Sequence, residues 1–174
     1  MNKSRRKFIL AGIGFAGFIY LQFLSGKSKQ LYTASDDIDK LILNDEEWKQ
    51  RLSHDAYHVL RKGKTEVRRS SPLNNEWREG IYYCRGCGLD LFTSAMKYES
   101  HTGWPSFTDH IRGHLVTYTD LRSVPPQRGY KCARCDGHHG HLFMDGPLPR
   151  GERWCNNGVA LKFVPAQIKK PSEY

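Results

Sequence analysis

"GYKCARCDGHHGHLFMDGP" (residues 129–147) is the stretch whose reading decides the fold. Two short strand candidates, "GYKC" (129–132) and "HLFM" (141–144), flank a C-x-x-C turn. A second turn of this kind, "YCRGCG" (83–88), lies upstream, with 44 residues between Cys87 and Cys132. Each pair sits on a strand–turn, the shape of a zinc knuckle. Cys84, Cys87, Cys132 and Cys135 together offer the four thiolates of a closed tetrahedral Zn²⁺ site. Such a site has no open position, so the metal would be structural and would clip together distant parts of the chain. Two disulfides, or one redox-active C-x-x-C, are the alternative uses of the same residues.

Around the knuckles the texture is β. "GIYYC" (80–84) and "IRGHLVTY" (111–118) are rich in β-branched and aromatic residues. "GVALKFV" (158–164) alternates, placing Val159, Leu161 and Phe163 on one face. Gly and Pro punctuate often, and no helical period follows residue 65. The expectation is a mainly β domain of antiparallel strands, with helices only at its N-terminal edge. Asn44 reads as the N-cap of "DEEWKQRL", with acids in the first turn. Ser53 caps "HDAYHVLRKG", which Gly63 ends. Trp48, Leu52, Tyr57 and Leu60 would face inward. "TEVRRSSPLNNEWREG" (65–80) reads as a loop.

The N-terminus is of another kind. Residues 1–30 hold six basic residues and no acid, so the +9 net charge of the 174-residue chain falls to 21 basic against 18 acidic residues beyond them. That near balance argues against a nucleic-acid partner for the domain. "SRRKFIL" (4–10) is close to the twin-arginine signal S-R-R-x-F-L-K, departing at Ile9 and Leu10. An apolar run of 17 residues, Phe8–Leu24, follows, broken only by Gln22. As a helix it would span about 26 Å, just short of the ~30 Å hydrocarbon core. The expectation is a twin-arginine-type signal or anchor over 1–30, a linker over 31–43 and one folded domain over 44–168. The protein would be periplasmic, or anchored through residues 8–24 and facing the periplasm. An ordinary secretory signal is the alternative reading. At 39% hydrophobic residues the chain has enough apolar content for a core and too little for a polytopic membrane protein.

Cys155, in "RWCNNG" (153–158), is the fifth cysteine and has no C-x-x-C partner. A free cysteine is more often an inert apolar residue than a nucleophile. Arg153 two residues away would favour its thiolate. His138, His139 and His141 follow a knuckle closely; in an extended segment His139 and His141 share one side and His138 faces the other, unless Gly137 and Gly140 alter this. A second metal site is the bland use of these histidines. In "KYESHTGWPSF" (97–107), the Gly103–Pro105 turn would present Trp104 as an apolar wall for a small group such as a methyl.

The ordered set C-x-x-C, "SHTGWPSF", C-x-x-C, "HHGHLFMDGP" and "RWCNNG" resembles the methionine-R-sulfoxide reductase (B-type) family over about residues 44–166. The resemblance implies two antiparallel β-sheets, with the zinc clip on the side away from the active site. It implies Cys155 as nucleophile, with His138, His141 and Asn157 as its catalytic partners. It implies Trp104 against the substrate methyl and Arg153 in the substrate site. The chemistry agrees: a sulfoxide sulfur becomes electrophilic when its oxygen is protonated or strongly hydrogen-bonded. Attack would leave a sulfenic acid on Cys155, reducible by another thiol. The substrates implied are proteins containing methionine-R-sulfoxide. Many members carry a recycling cysteine where this chain has Thr102, so the reductant must be external, of thioredoxin type. Trp154, Gly158 and Met144 are milder departures from the family pattern. A zinc-ribbon binding module and a general thiol–disulfide exchanger are the competing classes. The first leaves Cys155 unexplained, and the second needs a metal-free C-x-x-C.

Overall fold

The computed structural model describes residues 32–167. The expected signal over 1–30, with Arg5, Arg6 and the apolar run 8–24, lies outside these residues. Among the described residues no helix is long and apolar enough to cross a membrane.

Among the described residues two short helices come first, α1 (Asp45–Arg51) and α2 (His54–Leu60). Asn44 closes a capping box: its Oδ1 accepts from Glu47 N–H at 3.0 Å, and Glu47 Oε2 accepts from Asn44 N–H at 2.7 Å. Ser53 caps α2 through Ala56 N–H. Trp48, Leu52, Tyr57 and Leu60 are all buried, as the sequence pattern requires.

Nine strands follow among the described residues: β1 (Gly80–Cys84), β2 (Asp90–Thr93), β3 (Lys97–Tyr98), β4 (Ser106–Phe107), β5 (Leu115–Asp120), β6 (Gln127–Cys132), β7 (His138–Phe143), β8 (Arg153–Asn156) and β9 (Leu161–Pro165). They form two antiparallel sheets, β2-β1-β9 and β3-β4-β8-β7-β6-β5. Single turns of 3₁₀ helix interrupt the loops at Pro72–Asn75, Ser94–Met96 and Gly158–Ala160.

The core lies where the two sheets face each other. Tyr82 and Phe92 of the small sheet meet Phe107, Tyr130 and Trp154 of the large one, all fully buried. Phe92 and Phe107 stack at 4.1 Å with an interplanar angle of 9°, and Tyr82 meets the Phe107 edge at 5.0 Å. Because side chains alternate along a strand, β8 sends Trp154 and Asn156 into this core and turns Arg153 and Cys155 to the opposite face.

Residues 32–43 carry no helix or strand but are tied to the domain. Tyr32 exchanges backbone contacts with Thr117, accepting from its N–H at 3.0 Å and donating to its Oγ1 at 3.1 Å. Its ring packs edge-on against Trp154 at 5.1 Å, and its hydroxyl bonds Glu152. Ile38, Leu41 and Leu43 pack on the core from outside.

Candidate active site and metal centre

One rung of cross-strand partners runs the full width of the large sheet: Tyr98, Ser106, Cys155, His141, Gly129, Tyr118. Directly opposed residues share a face, so the register alone brings Cys155 beside His141 and Ser106. Gly129 is glycine for a steric reason. A Cβ there would lie 2.6 Å from Tyr118 Cζ, so the missing side chain lets the Tyr118 ring lean along the rung.

His138 joins this face through a β-bulge. Tyr130 opposes Gly140 and Lys131 opposes His138, so β7 carries one extra residue between the two rungs. The bulge reverses the strict alternation that would pair His139 with His141. His138 and His141 instead lie together, ring centroids 5.3 Å apart. His139 turns inward, fully buried, with Nε2 3.3 Å from Cys84 Sγ.

Residues not singled out by motif hold the two imidazoles. Asp120 Oδ2 pairs with His141 Nε2 at 2.9 Å and is itself gripped by Arg122 at 2.8 Å. The Arg122 hydrogen bond holds the Asp120 carboxyl well below the usual carboxylate range. Arg122 Nη2 also donates to the Tyr118 hydroxyl at 3.0 Å, which leaves the hydroxyl proton for His138 Nδ1 at 2.7 Å. Burial pushes His138 down to about 3, so its ring is neutral at working pH. With Nδ1 accepting, the ring proton sits on Nε2, a buried atom with no partner among the described residues. The network therefore holds a spare N–H donor ready.

Around Cys155 the forces oppose one another. Burial pushes its thiol above the ordinary value, while the Arg153 charge and a hydrogen bond from Thr102 pull it back. Burial wins, so Arg153 does not by itself make a resting thiolate. Arg153 is fixed by a bidentate pair to Asp145 at 2.7 and 2.8 Å and lies 4.2 Å over the Phe143 ring. Thr102 belongs to a hydroxyl chain: Ser100 Oγ lies 2.8 Å from both Thr102 Oγ1 and Ser106 Oγ.

Glu66 organises the far side, in a loop that offered no sequence signal beyond charge and turn formers. Its backbone N–H donates to Asn157 Oδ1 at 2.9 Å, and its carbonyl accepts from Trp104 Nε1 at 3.3 Å. Its carboxylate takes the N–H groups of Gly158 and Val159 at 2.7 and 2.8 Å. Asn157 also donates to the His139 carbonyl at 2.8 Å. Its side chain thus braces the backbone behind Cys155 rather than standing in the rung. Trp104 is half-buried, and Pro105 after it accepts from Asn156 N–H at 2.9 Å, which ties the indole loop to β8.

The metal centre is separate. Cys84 ends β1, Cys132 ends β6, and Cys87 and Cys135 sit in the turns that follow. Their four sulfurs lie within 4.8 Å of one another, with closest pairs at 3.5 and 3.6 Å. Zn–S bonds of about 2.3 Å at tetrahedral angles place sulfurs about 3.8 Å apart, so the cluster fits Zn²⁺, whereas a disulfide needs about 2.05 Å. Hydrogen bonds among the four thiols push Cys84 and Cys132 up and Cys87 and Cys135 down. A bound cation would let all four ionise. Among the described residues the only such cluster is made of the four cysteines, with no histidine in it; His138 and His141 stand on the thiol face, while His139 backs Cys84.

Two facing antiparallel sheets, a four-thiol clip and a lone cysteine on a hydrogen-bonded face define a SelR domain, and the model of that family matches residues 52–165. Curated relatives named peptide methionine sulfoxide reductase MsrB agree along most of the chain. The protein from Methanosarcina barkeri is 43% identical over 131 residues, 75% of this chain and 92% of its own length. That from Bradyrhizobium diazoefficiens is 42% identical over 128 residues, 73% and 92%. That from Pseudomonas paraeruginosa is 39% identical over 131 residues, 75% and 97%. The chain belongs to this SelR, or MsrB, family.

Proposed function

We propose that this protein reduces the R epimer of methionine sulfoxide in exported proteins, with Cys155 as the reacting atom. The observation that supports the reading is the rung itself. One thiol without a thiol neighbour lies beside His141 and near a neutral His138 with an unpartnered N–H. The raised thiol of Cys155 carries the proton the reaction needs. As its sulfur attacks the sulfoxide sulfur, that proton passes to the sulfoxide oxygen, assisted by His138 Nε2–H and the His141–Asp120 pair. The oxygen ends on Cys155 as a sulfenic acid. The substrate sulfur gains two electrons and leaves as methionine, and Cys155 loses two. Trp104 would wall the methyl, and Arg153, fixed by Asp145, would hold charge as the sulfur becomes anionic.

An external dithiol of thioredoxin type completes the cycle. One thiol attacks the sulfenic sulfur and releases water. The second displaces Cys155 from the mixed disulfide. Cys84, Cys87, Cys132 and Cys135 would hold a structural Zn²⁺, which contributes folding energy and no step of the reaction. Residues 1–30 would export the chain by the twin-arginine route, and Arg5→Lys with Arg6→Lys should leave it in the cytoplasm.

The deciding experiment is an assay on separated R and S sulfoxides, with wild type and Cys155→Ser. Turnover of R alone, lost by about 10⁴-fold or more in the variant, is expected for removal of a nucleophile. Equal turnover of both epimers, or an active Cys155→Ser, refutes the proposal.

A further inference from the structure

The end of the large sheet opposite the clip carries exposed apolar side chains. β5 runs up to Asp120 and β6 returns from Gln127, while β7 runs up to Phe143 and β8 returns from Arg153. Since β6 and β7 are adjacent and antiparallel, the 121–126 and 144–152 connections lie at the same end. The β6–β7 turn with Cys132 and Cys135 lies at the other. On these two connections Leu121 is 75% exposed, Val124 97%, Met144 67% and Leu148 88%. Four of the eight exposed large hydrophobics among the described residues thus stand on two neighbouring tips. Charged groups beside them are already paired: Arg122 with Asp120, Arg150 with Asp109 and Glu152, Arg153 with Asp145. What the tips offer a partner is apolar contact rather than a field.

We infer that this rim docks the extended apolar polypeptide that flanks an oxidised methionine, so that the enzyme prefers sulfoxides set among hydrophobic residues. The inference rests on the proposed reductase function. Distance supports the occupant. Arg153, at the end of β8, lies two residues from Cys155, about 7 Å at the strand rise of ~3.3 Å per residue. An extended substrate advances about 3.3–3.6 Å per residue, so positions some two to five residues from the sulfoxide reach the tips. Methionine is itself a core residue, so the sequence around it in an unfolding protein is commonly apolar. Apolar patches of this kind mark interaction sites on soluble domains.

The test compares three R-sulfoxide substrates on the full chain: N-acetylmethionine sulfoxide amide, a nonapeptide with Leu, Val and Phe around the sulfoxide, and the same peptide with Ser and Gly. The variant combines Leu121→Ser, Val124→Ser, Met144→Ser and Leu148→Ser. KM for the apolar peptide should rise about tenfold, about 1.4 kcal/mol, with kcat unchanged and both constants for the other two substrates unchanged. An apolar-peptide KM within twofold of wild type overturns the inference. Should the combined variant not fold, the pairs 121/124 and 144/148 are each expected to raise that KM about threefold, and no change in either overturns it equally. Sedimentation of wild type guards against another occupant. A dimer that the substitutions dissociate, with peptide KM unmoved, assigns the rim to a second copy and refutes docking of substrate. Absence of turnover on the small amide by wild type would instead sink the reductase reading itself.

Discussion

Four cysteines of this chain and the fifth are the same chemical group in opposite surroundings. The clip sulfurs sit at strand ends and in turns, 3.5–3.6 Å from their nearest partners, at one end of the large sheet. Cys155 sits within β8, opposed by His141 and Ser106, with Arg153 and Thr102 acting on its thiol. Thiols that see one another can hold a metal; a thiol that sees imidazole, hydroxyl and guanidinium is left without a thiol partner. Position in the strand decides which. A turn can gather two cysteines three residues apart, whereas a mid-strand residue meets only its cross-strand neighbours.

This contrast is sharpest under mutation. Cys132→Ser should unfold the domain. Structural zinc is worth on the order of 10 kcal/mol in peptides, comparable to the ~5–15 kcal/mol that holds a whole domain. Loss of the cooperative melting transition, together with loss of zinc, is the expected readout. Cys155→Ser should melt and bind zinc like wild type. A Cys132→Ser protein that melts normally would erase the distinction.

Within the thiol face, Asp120→Asn should come next, lowering kcat about 10²-fold, the lower range of general acid–base contributions. Asn can still meet His141 but carries no charge for the Arg122 fork. The carboxyl is depressed in the folded protein by Arg122. Its contribution is therefore complete above the ordinary carboxylate range and is lost as pH falls through the depressed folded value. At pH 7 the wild type has it in full, so a pH profile of kcat should show no acid limb from Asp120 near neutrality. Neutral His138, at about 3, adds none either.

Arg153→Met should have a smaller effect, of a few-fold. Arg153 pulls the Cys155 thiol down against burial, so its loss lets the thiol rise further. Alkylation of Cys155 by iodoacetamide should slow at pH 7, with the gap to wild type closing as pH rises above the thiol range. A uniform slowing at every pH would mean that Arg153 acts through access rather than charge.

How much of this was legible beforehand follows the same divide. The helix starts were readable because Asn44 and Ser53 cap locally. The clip was readable because C-x-x-C is a local spacing, and the motifs placed Cys155, His138, His141 and Trp104 on one family pattern. Partners set by register were not readable. Tyr118, Asp120 and Arg122 lie outside every motif, and only a polar or aromatic residue at each second position of "YTDLR" hinted at a shared face. Strict alternation put His139 beside His141, and one bulge residue reversed it. Glu66 works mainly through its own backbone, which no side-chain pattern announces. Residues 32–43 lacked periodicity because scattered side chains and single backbone bonds hold them.

The smallest expected change in turnover belongs to Thr102→Cys, and it tests whether the two classes of thiol can exchange roles. In the proposed cycle wild-type Cys155 is left as a sulfenic acid with no internal thiol to resolve it. The other four cysteines lie at the clip, away from the rung. A sulfenic-acid trap applied after one stoichiometric turnover should therefore label Cys155, and without reductant the group should pass to the irreversible sulfinic form. Thr102 is among the groups that pull the Cys155 thiol down, so a sulfur on the same Cβ would stand on the Cys155 side of the loop. Disulfide formation needs the two Cα atoms about 4.4–6.8 Å apart, so the yield of the bond reports how closely the 102 loop approaches β8. Thr102→Cys should convert the trapped species into an internal disulfide with release of one water, seen as loss of labelling and of two free thiols. Steady-state kcat with excess external dithiol should change little, because reduction is then supplied from outside in either case. A wild-type disulfide from Cys155 to a clip cysteine, formed in high yield with zinc released, would show that the four thiols are not reserved for metal after all.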